Sequence, residues 1–191
     1  MPNFSTRHST RHSAAQMFAL VADVECYPEF LPMCEGLTIR ECRSRNHKML
    51  LIADMTVGYK LIRESFTSQV LIDPSNLVIE VKYLNGPFRY LENRWSFHPS
   101  EEKICLPVSI AEQAPSFTSI PWGADKHHDH KSTPDMPSWA YNQGCSVAFF
   151  LDYEFKNKML GIVMGSMFDI AFRKFSNAFE RRADAIYGQV L

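Results

Sequence analysis

CSVAFFLDYEFKNKMLGIVMGSMFDIAFRKFSNAFERRADAIYG, residues 145–188, decides the fold. Its first eleven residues alternate, with Val147, Phe149, Leu151, Tyr153 and Phe155 on one side, as in a strand with one buried face. From 157 to 188 there is no proline, and apolar residues recur at Leu160, Met164, Phe168, Ala171, Phe175, Ala178, Phe179 and Ile186. That spacing predicts one amphipathic helix. At 1.5 Å per residue it would run roughly 45 Å, long enough to cross a whole sheet.

Upstream, the text is strand-like over 37–43, 48–57, 61–72, 76–83 and 88–97. Breaks fall at Arg45-Asn46, Gly58, Asp73-Pro74-Ser75 and Asn85-Gly86-Pro87. Breaks this short favour an antiparallel meander, because parallel crossovers need about a dozen residues or more. Phe66, Ser68, Val70 and Ile72 alternate with wetter positions, so one sheet face should be buried. Residues 4–11 predict a further strand. Ser13 and Gln16 form a capping-box pattern before Met17, Leu20, Val21 and Val24, the apolar face of a short helix. Pro28 and Pro32 are expected to end that helix and leave Tyr27 to Pro32 irregular. The expected class is α+β, a curved antiparallel sheet around the last helix.

Residues 1–191 are expected to form a single domain. Residues 104–144 break its rhythm. They hold Pro107, Pro115, Pro121, Pro134, Pro137 and His127-His128-Asp129-His130, and so many residues exceed an ordinary loop. They read as a Pro/His-rich insertion between the last two strands, extended or partly disordered.

Apolar residues make up 46% and charged residues 21%, which excludes wholesale disorder. The net charge of -1 supplies no bulk positive field for duplex DNA or anionic lipid. Aromatics reach 13%, with Phe 14, a large supply of flat apolar surface that hints at a pocket. Five cysteines with no CxxC pair read as reduced intracellular thiols. No secretory signal opens the chain. Arg7, Arg11 and several serines before Asp23 superficially suit a mitochondrial transit peptide, but the strand and helix patterns begin too early for one.

Common hydrolase, zincin and nucleotide-binding signatures are absent. Asp23 and Glu25 read as a solvated helix end rather than an acid–base pair, and His98 as an ordinary strand-end histidine. The 127–130 cluster has metal-capable side chains, but adjacent histidines in a Pro-rich stretch lack a supporting shell, so no metal site is assigned. The 159–172 stretch is nearly apolar all round and carries Gly161-xxx-Gly165. It is too short to span a bilayer and contains Asp169. Core packing, lining of a lipid cavity and contact with a membrane surface all remain open for it.

Tyr27-Pro28-Glu29-Phe30-Leu31-Pro32-Met33-Cys34 and Gly86-Pro87-Phe88-Arg89-Tyr90-Leu91-Glu92-Asn93-Arg94-Trp95-Ser96-Phe97, followed by Asp152-Tyr153-Glu154-Phe155-Lys156-Asn157, resemble the coenzyme Q-binding branch of the START-like polyketide cyclase superfamily. The likeness covers 2–103 and 145–190. It implies a helix-grip fold with an apolar tunnel between sheet and C-terminal helix. It also implies non-enzymatic binding of ubiquinone or a related isoprenoid, in support of respiration. The positions implied for the ligand are Tyr27, Pro28, Phe30, Leu31 and Pro32 near the tunnel mouth, and Gly86, Pro87, Phe88 and Trp95 on the sheet. Phe66 is added from the inward face of its strand, and Met164, Phe168 and Phe172 from helical periodicity.

The same branch contains bacterial ribosome-association toxins. Ribosome binding is therefore the alternative, with a basic face from Arg40, Arg43, Arg45 and Lys48, or from Arg173, Lys174, Arg181 and Arg182. An aromatic polyketide cyclase is a third reading. Expected partners are an isoprenoid lipid and a membrane surface, with no catalytic cofactor. The expected location is a bacterial cytoplasm beside the inner membrane, or the matrix side of a mitochondrial inner membrane.

Overall fold

Alternating side chains and short turns produce the sheet that the pattern requires. The computed structural model describes residues 3–59, 61–100, 136–141 and 144–188, apart from the side chains of 141, 160 and 162–172. The strands are β1 (Asn3–Thr10), β2 (Cys34–Arg45), β3 (Lys48–Tyr59), β4 (Ile62–Asp73), β5 (Val78–Asn85), β6 (Phe88–Pro99) and β7 (Cys145–Phe155). They form one antiparallel sheet in the order β1-β7-β6-β5-β4-β3-β2. Helices α1 (Ala14–Ala22), α2 (Tyr27–Phe30) and α3 (Lys158–Tyr187) complete the domain. The fold is helix-grip, a sheet held around its C-terminal helix. The expected 104–144 insertion lies outside the described residues except at 136–141 and 144.

The capping box forms as its spacing demands. Ser13 Oγ accepts from the Gln16 N–H at 3.2 Å, and Gln16 Oε1 accepts from the Ser13 N–H at 2.9 Å. Helix α3 starts in a similar way, with Asn157 Oδ1 accepting from the Met159 N–H.

Two expectations need correction. Tyr27 to Phe30 is a short helix, not an irregular segment. Pro28 occupies its first turn, where a missing N–H costs nothing and a fixed φ is favourable. Chain breakage falls at Asp23 instead, where α1 gives way to a 3-10 turn over Val24–Cys26. Gly58 does not end its strand either. It stays paired with Arg63, and the hairpin turns after Tyr59, leaving Leu61 in the turn.

Two apolar clusters fill the interior. The larger lies under α1 and the C-terminal half of α3, where Phe18 meets Phe97 edge-on at 5.7 Å and Ala178, Phe179 and Ala183 are buried. A 2.8 Å hydrogen bond between His12 Nε2 and Asp184 Oδ1 ties the start of α1 to the end of α3. Lys48 pairs with Asp73 at 2.7 Å beside the β4–β5 turn. Burial would raise the Asp73 carboxyl, but Lys48 and the Asn76 amides outweigh it and hold it below the usual carboxylate range. The smaller cluster is largely aromatic and occupies the opposite end of the sheet.

Candidate functional site

Inward positions of β4 to β7 build an aromatic surface. Phe88, Leu91, Phe149, Leu151, Tyr153 and Phe155 are buried, and Phe4, Phe66, Tyr83 and Trp95 pack against them. Phe88 is the centre, 4.5 Å from Phe155, 5.5 Å from Phe66, 5.7 Å from Tyr83 and 6.4 Å from Tyr153 between ring centroids. Most of these contacts are edge-to-face, the arrangement ring quadrupoles favour. A register shift between Phe88 and Tyr90 turns Phe88 onto the same face as Leu91.

Gly86 lets this end close. Its φ is 136°, outside the range of ordinary L-residues, and a Cβ there would stand 2.7 Å from Phe66 Cβ and 2.9 Å from Ser65 O. The turn is tied to the start of α3, because the Lys156 N–H donates to Pro87 O and Lys156 Nζ donates to Gly86 O, both at 2.9 Å. The first turn of α3 lies beside these rings, where a Cβ at Gly161 would make ordinary contact with Phe155 at 3.8 Å.

A second aromatic group connects with the first through Trp95. That indole lies 4.5 Å from Phe149 on one side and 5.6 Å from Phe179 on the other. Phe179 also meets Tyr27 at 5.5 Å and Phe30 at 5.3 Å. The Tyr27 hydroxyl donates to Val21 O at 2.5 Å. Burial, aided by Asp23, pushes its ionisation far above the usual tyrosine range, so it stays neutral.

The expected ligand positions therefore divide. Phe66, Pro87 and Phe88 share the aromatic end with the inward rings of Tyr83 and Tyr153, and Trp95 bridges. Tyr27 and Phe30 pack around Phe179, Leu31 is buried in the larger cluster, and Pro28 is exposed. Pro32 edges a surface cleft of about 490 Å³ with Lys174, Asn177, Glu180, Arg181 and Asp184. The side chains of Met164, Phe168 and Phe172 lie outside the described residues. Tyr83, which was not among the expected positions, joins this end. Its signal was parity, since it shares the inward face with Ile79 and Val81 but ends in a hydroxyl.

Other candidates resolve simply. His98 is exposed and hydrogen-bonds Ser96 at 3.2 Å. Asp23 and Glu25 edge a cleft of about 340 Å³ with Arg40 and Glu41. Burial pushes the Cys26 thiol up to about 11 and the Cys145 thiol up to about 12, too high for a nucleophile at neutral pH. Residues 127–130 lie outside the described residues, and among those described no cluster of metal ligands occurs.

A family model for polyketide cyclase / dehydrase and lipid transport matches residues 10–180. The chain belongs to that family. Within it, the chain is 29% identical over 177 residues to the ribosome association toxin RatA of Vibrio cholerae, covering 93% of this chain and 92% of that one. It is 24% identical over 176 residues to the mitochondrial coenzyme Q-binding protein COQ10 of Drosophila melanogaster, covering 92% of this chain and 56% of the fly protein. The solution structure of the 18 kDa protein CC1736 from Caulobacter crescentus shares the fold. The TM-score is 0.68 at 24% identity, over 99% of this chain and all of that one.

Proposed function

We propose that this protein binds ubiquinone or a related isoprenoid lipid, without chemical turnover, between the aromatic end of the sheet and α3. The observation carrying this reading is the unbroken ring surface from Phe66 through Phe88 to Phe155, with Gly86 and Lys156 joining sheet and helix beside it. Each CH₂ taken from water contributes about 0.8 kcal/mol, so one or two isoprene units give useful affinity. A typical pocket of about 300–1,000 Å³ holds a quinone head and part of a tail. The remaining tail stays in the bilayer, which makes the protein a quinone chaperone at the inner membrane. The name of the fly relative supports this choice of ligand.

The site end also carries the means to meet that membrane. No helix among the described residues is long and apolar enough to cross a bilayer. The β3–β4 hairpin, the Gly86 turn and the β7–α3 junction all project from one end of the sheet. There Leu61 is 102% exposed, Met159 70% and Leu84 50%. Lys156 and Lys158 precede Met159, and both are exposed. Apolar tips among lysines suit an anionic lipid surface. Wild-type protein should float with phosphatidylglycerol-containing vesicles, and Leu61→Asp with Met159→Asp should abolish flotation. Flotation of the double variant at the wild-type level would contradict this orientation.

Ribosome association is the second reading, favoured by the names of the RatA relatives and one surface feature. On α3, Arg173, Lys174 and Arg181 are exposed and meet no acid among the described residues. The alternative strand-side patch is largely neutralised, because Arg40 pairs with Asp54, Arg43 with Glu41 and Lys48 with Asp73. Arg182 likewise pairs with Glu29 at 2.8 Å. Co-sedimentation with large ribosomal subunits, lost on charge reversal of Arg173 and Lys174, would establish this reading. Quinone binding without co-sedimentation would remove it.

A further inference from the structure

We infer that the Tyr83 hydroxyl is the hydrogen-bond donor that selects a carbonyl-bearing head group, a quinone in preference to an oxygen-free isoprenoid. This deepens the lipid-binding reading and rests on it. The Tyr83 hydroxyl oxygen is buried and has no hydrogen-bond partner among the described residues. A phenol buried without a partner forfeits its hydration for nothing, a cost that native interiors rarely carry unless something else occupies the position. Its surroundings are those of the site. The ring stands edge-on to Phe88 at 5.7 Å within the aromatic cluster. The Lys156 ammonium, anchored on Gly86 O, lies 6.0 Å from the ring centroid and favours an electron-rich oxygen nearby.

Backbone geometry makes room there. Strands β5 and β6 pair from Val78↔Ser96 only as far as Lys82↔Glu92. Beyond that point β5 continues along β4 through Ser68↔Tyr83, while Phe88 to Leu91 pair with β7. Tyr83 is the first β5 residue past the fork, and a register shift between Thr67 and Ser68 lies opposite. A donor at a fork in the ladder, among rings and without an acceptor among the described residues, fits a ligand oxygen. A carbonyl accepts from a phenol, whereas a hydrocarbon tail offers it nothing.

The test compares wild-type and Tyr83→Phe protein by equilibrium binding of a short-chain ubiquinone and of squalene, an oxygen-free isoprenoid. The substitution should weaken ubiquinone binding about five- to tenfold, the value of one hydrogen bond. Squalene binding should not change. The infrared carbonyl stretch of bound ubiquinone should be lowered in the wild type and restored to its unbonded position in the variant. The thermal midpoint of ligand-free protein should stay level or rise, since the hydroxyl has no partner to lose. Equal loss of both ligands, unchanged ubiquinone affinity or an unshifted carbonyl stretch in the wild type would overturn the inference. If wild-type protein binds neither probe, the lipid reading itself fails and takes this inference with it.

Discussion

Phe179→Ala should destabilise the protein by about 3–5 kcal/mol, the usual cost of emptying a buried phenylalanine site. Phe179 is 3% exposed, and its ring touches Tyr27, Phe30 and Trp95 from three directions. Its three ring neighbours are fixed by their own packing and cannot readily fill the space. Tyr27 is held by its bond to Val21 O, and Trp95 by β6 and Phe149. The loss should appear as a lower urea midpoint with an unchanged m-value. The functional consequence is indirect. Phe179 joins the Tyr27–Phe30 helix to the indole that reaches the aromatic end, so its removal should loosen both. A loss below about 1 kcal/mol would mean that these rings do not form the hub described.

Gly86→Ala should cost about 3 kcal/mol, from backbone strain and overpacking together. Both contributions act at one atom. The φ of 136° excludes ordinary side chains, and the added methyl would press on Phe66 Cβ, Phe66 Cα and Ser65 O, all within 2.9 Å. Ser65 and Phe66 belong to the middle of β4 and cannot move without breaking its pairing to β3. The turn must shift instead, and with it Gly86 O and Pro87 O, which hold Lys156. Chemical denaturation checks the stability. The intensity of quinone binding by the folded fraction checks the site, which should weaken because Phe88 follows the turn. A neutral substitution would show that the turn does not lie down on β4.

Much of the fold was written in local pattern. Alternation in β7, the Ser13–Gln16 box and the proline-free run of α3 each depend on near neighbours, and all three formed where spacing placed them. The Tyr27–Phe30 helix was missed because a proline restrains the residue before it yet suits a helix's first turn, and the pattern alone does not choose. The candidate site was less legible. Phe66 and Phe88 were named as inward or motif residues, but their grouping apart from Tyr27 and Phe30 depends on the strand order and on where Phe179 packs. The role proposed for Tyr83 rests on a hydroxyl without a partner among the described residues, which only three-dimensional placement reveals. Gly86 was visible as a turn residue, whereas the contact with Phe66 that requires glycine was not.

The quinone proposed for the aromatic end should travel with the purified protein. The most direct test is lipid extraction and mass spectrometry of the protein purified from its native host, with Phe88→Asp protein purified in parallel. Phe88 touches four other rings, so a carboxylate there should expel an apolar guest. Circular dichroism checks that the variant is folded. Quinone or a closely related isoprenoid should be present in the wild-type extract and lost from the folded variant. No isoprenoid in the wild-type extract, together with no uptake of added ubiquinone, would contradict it.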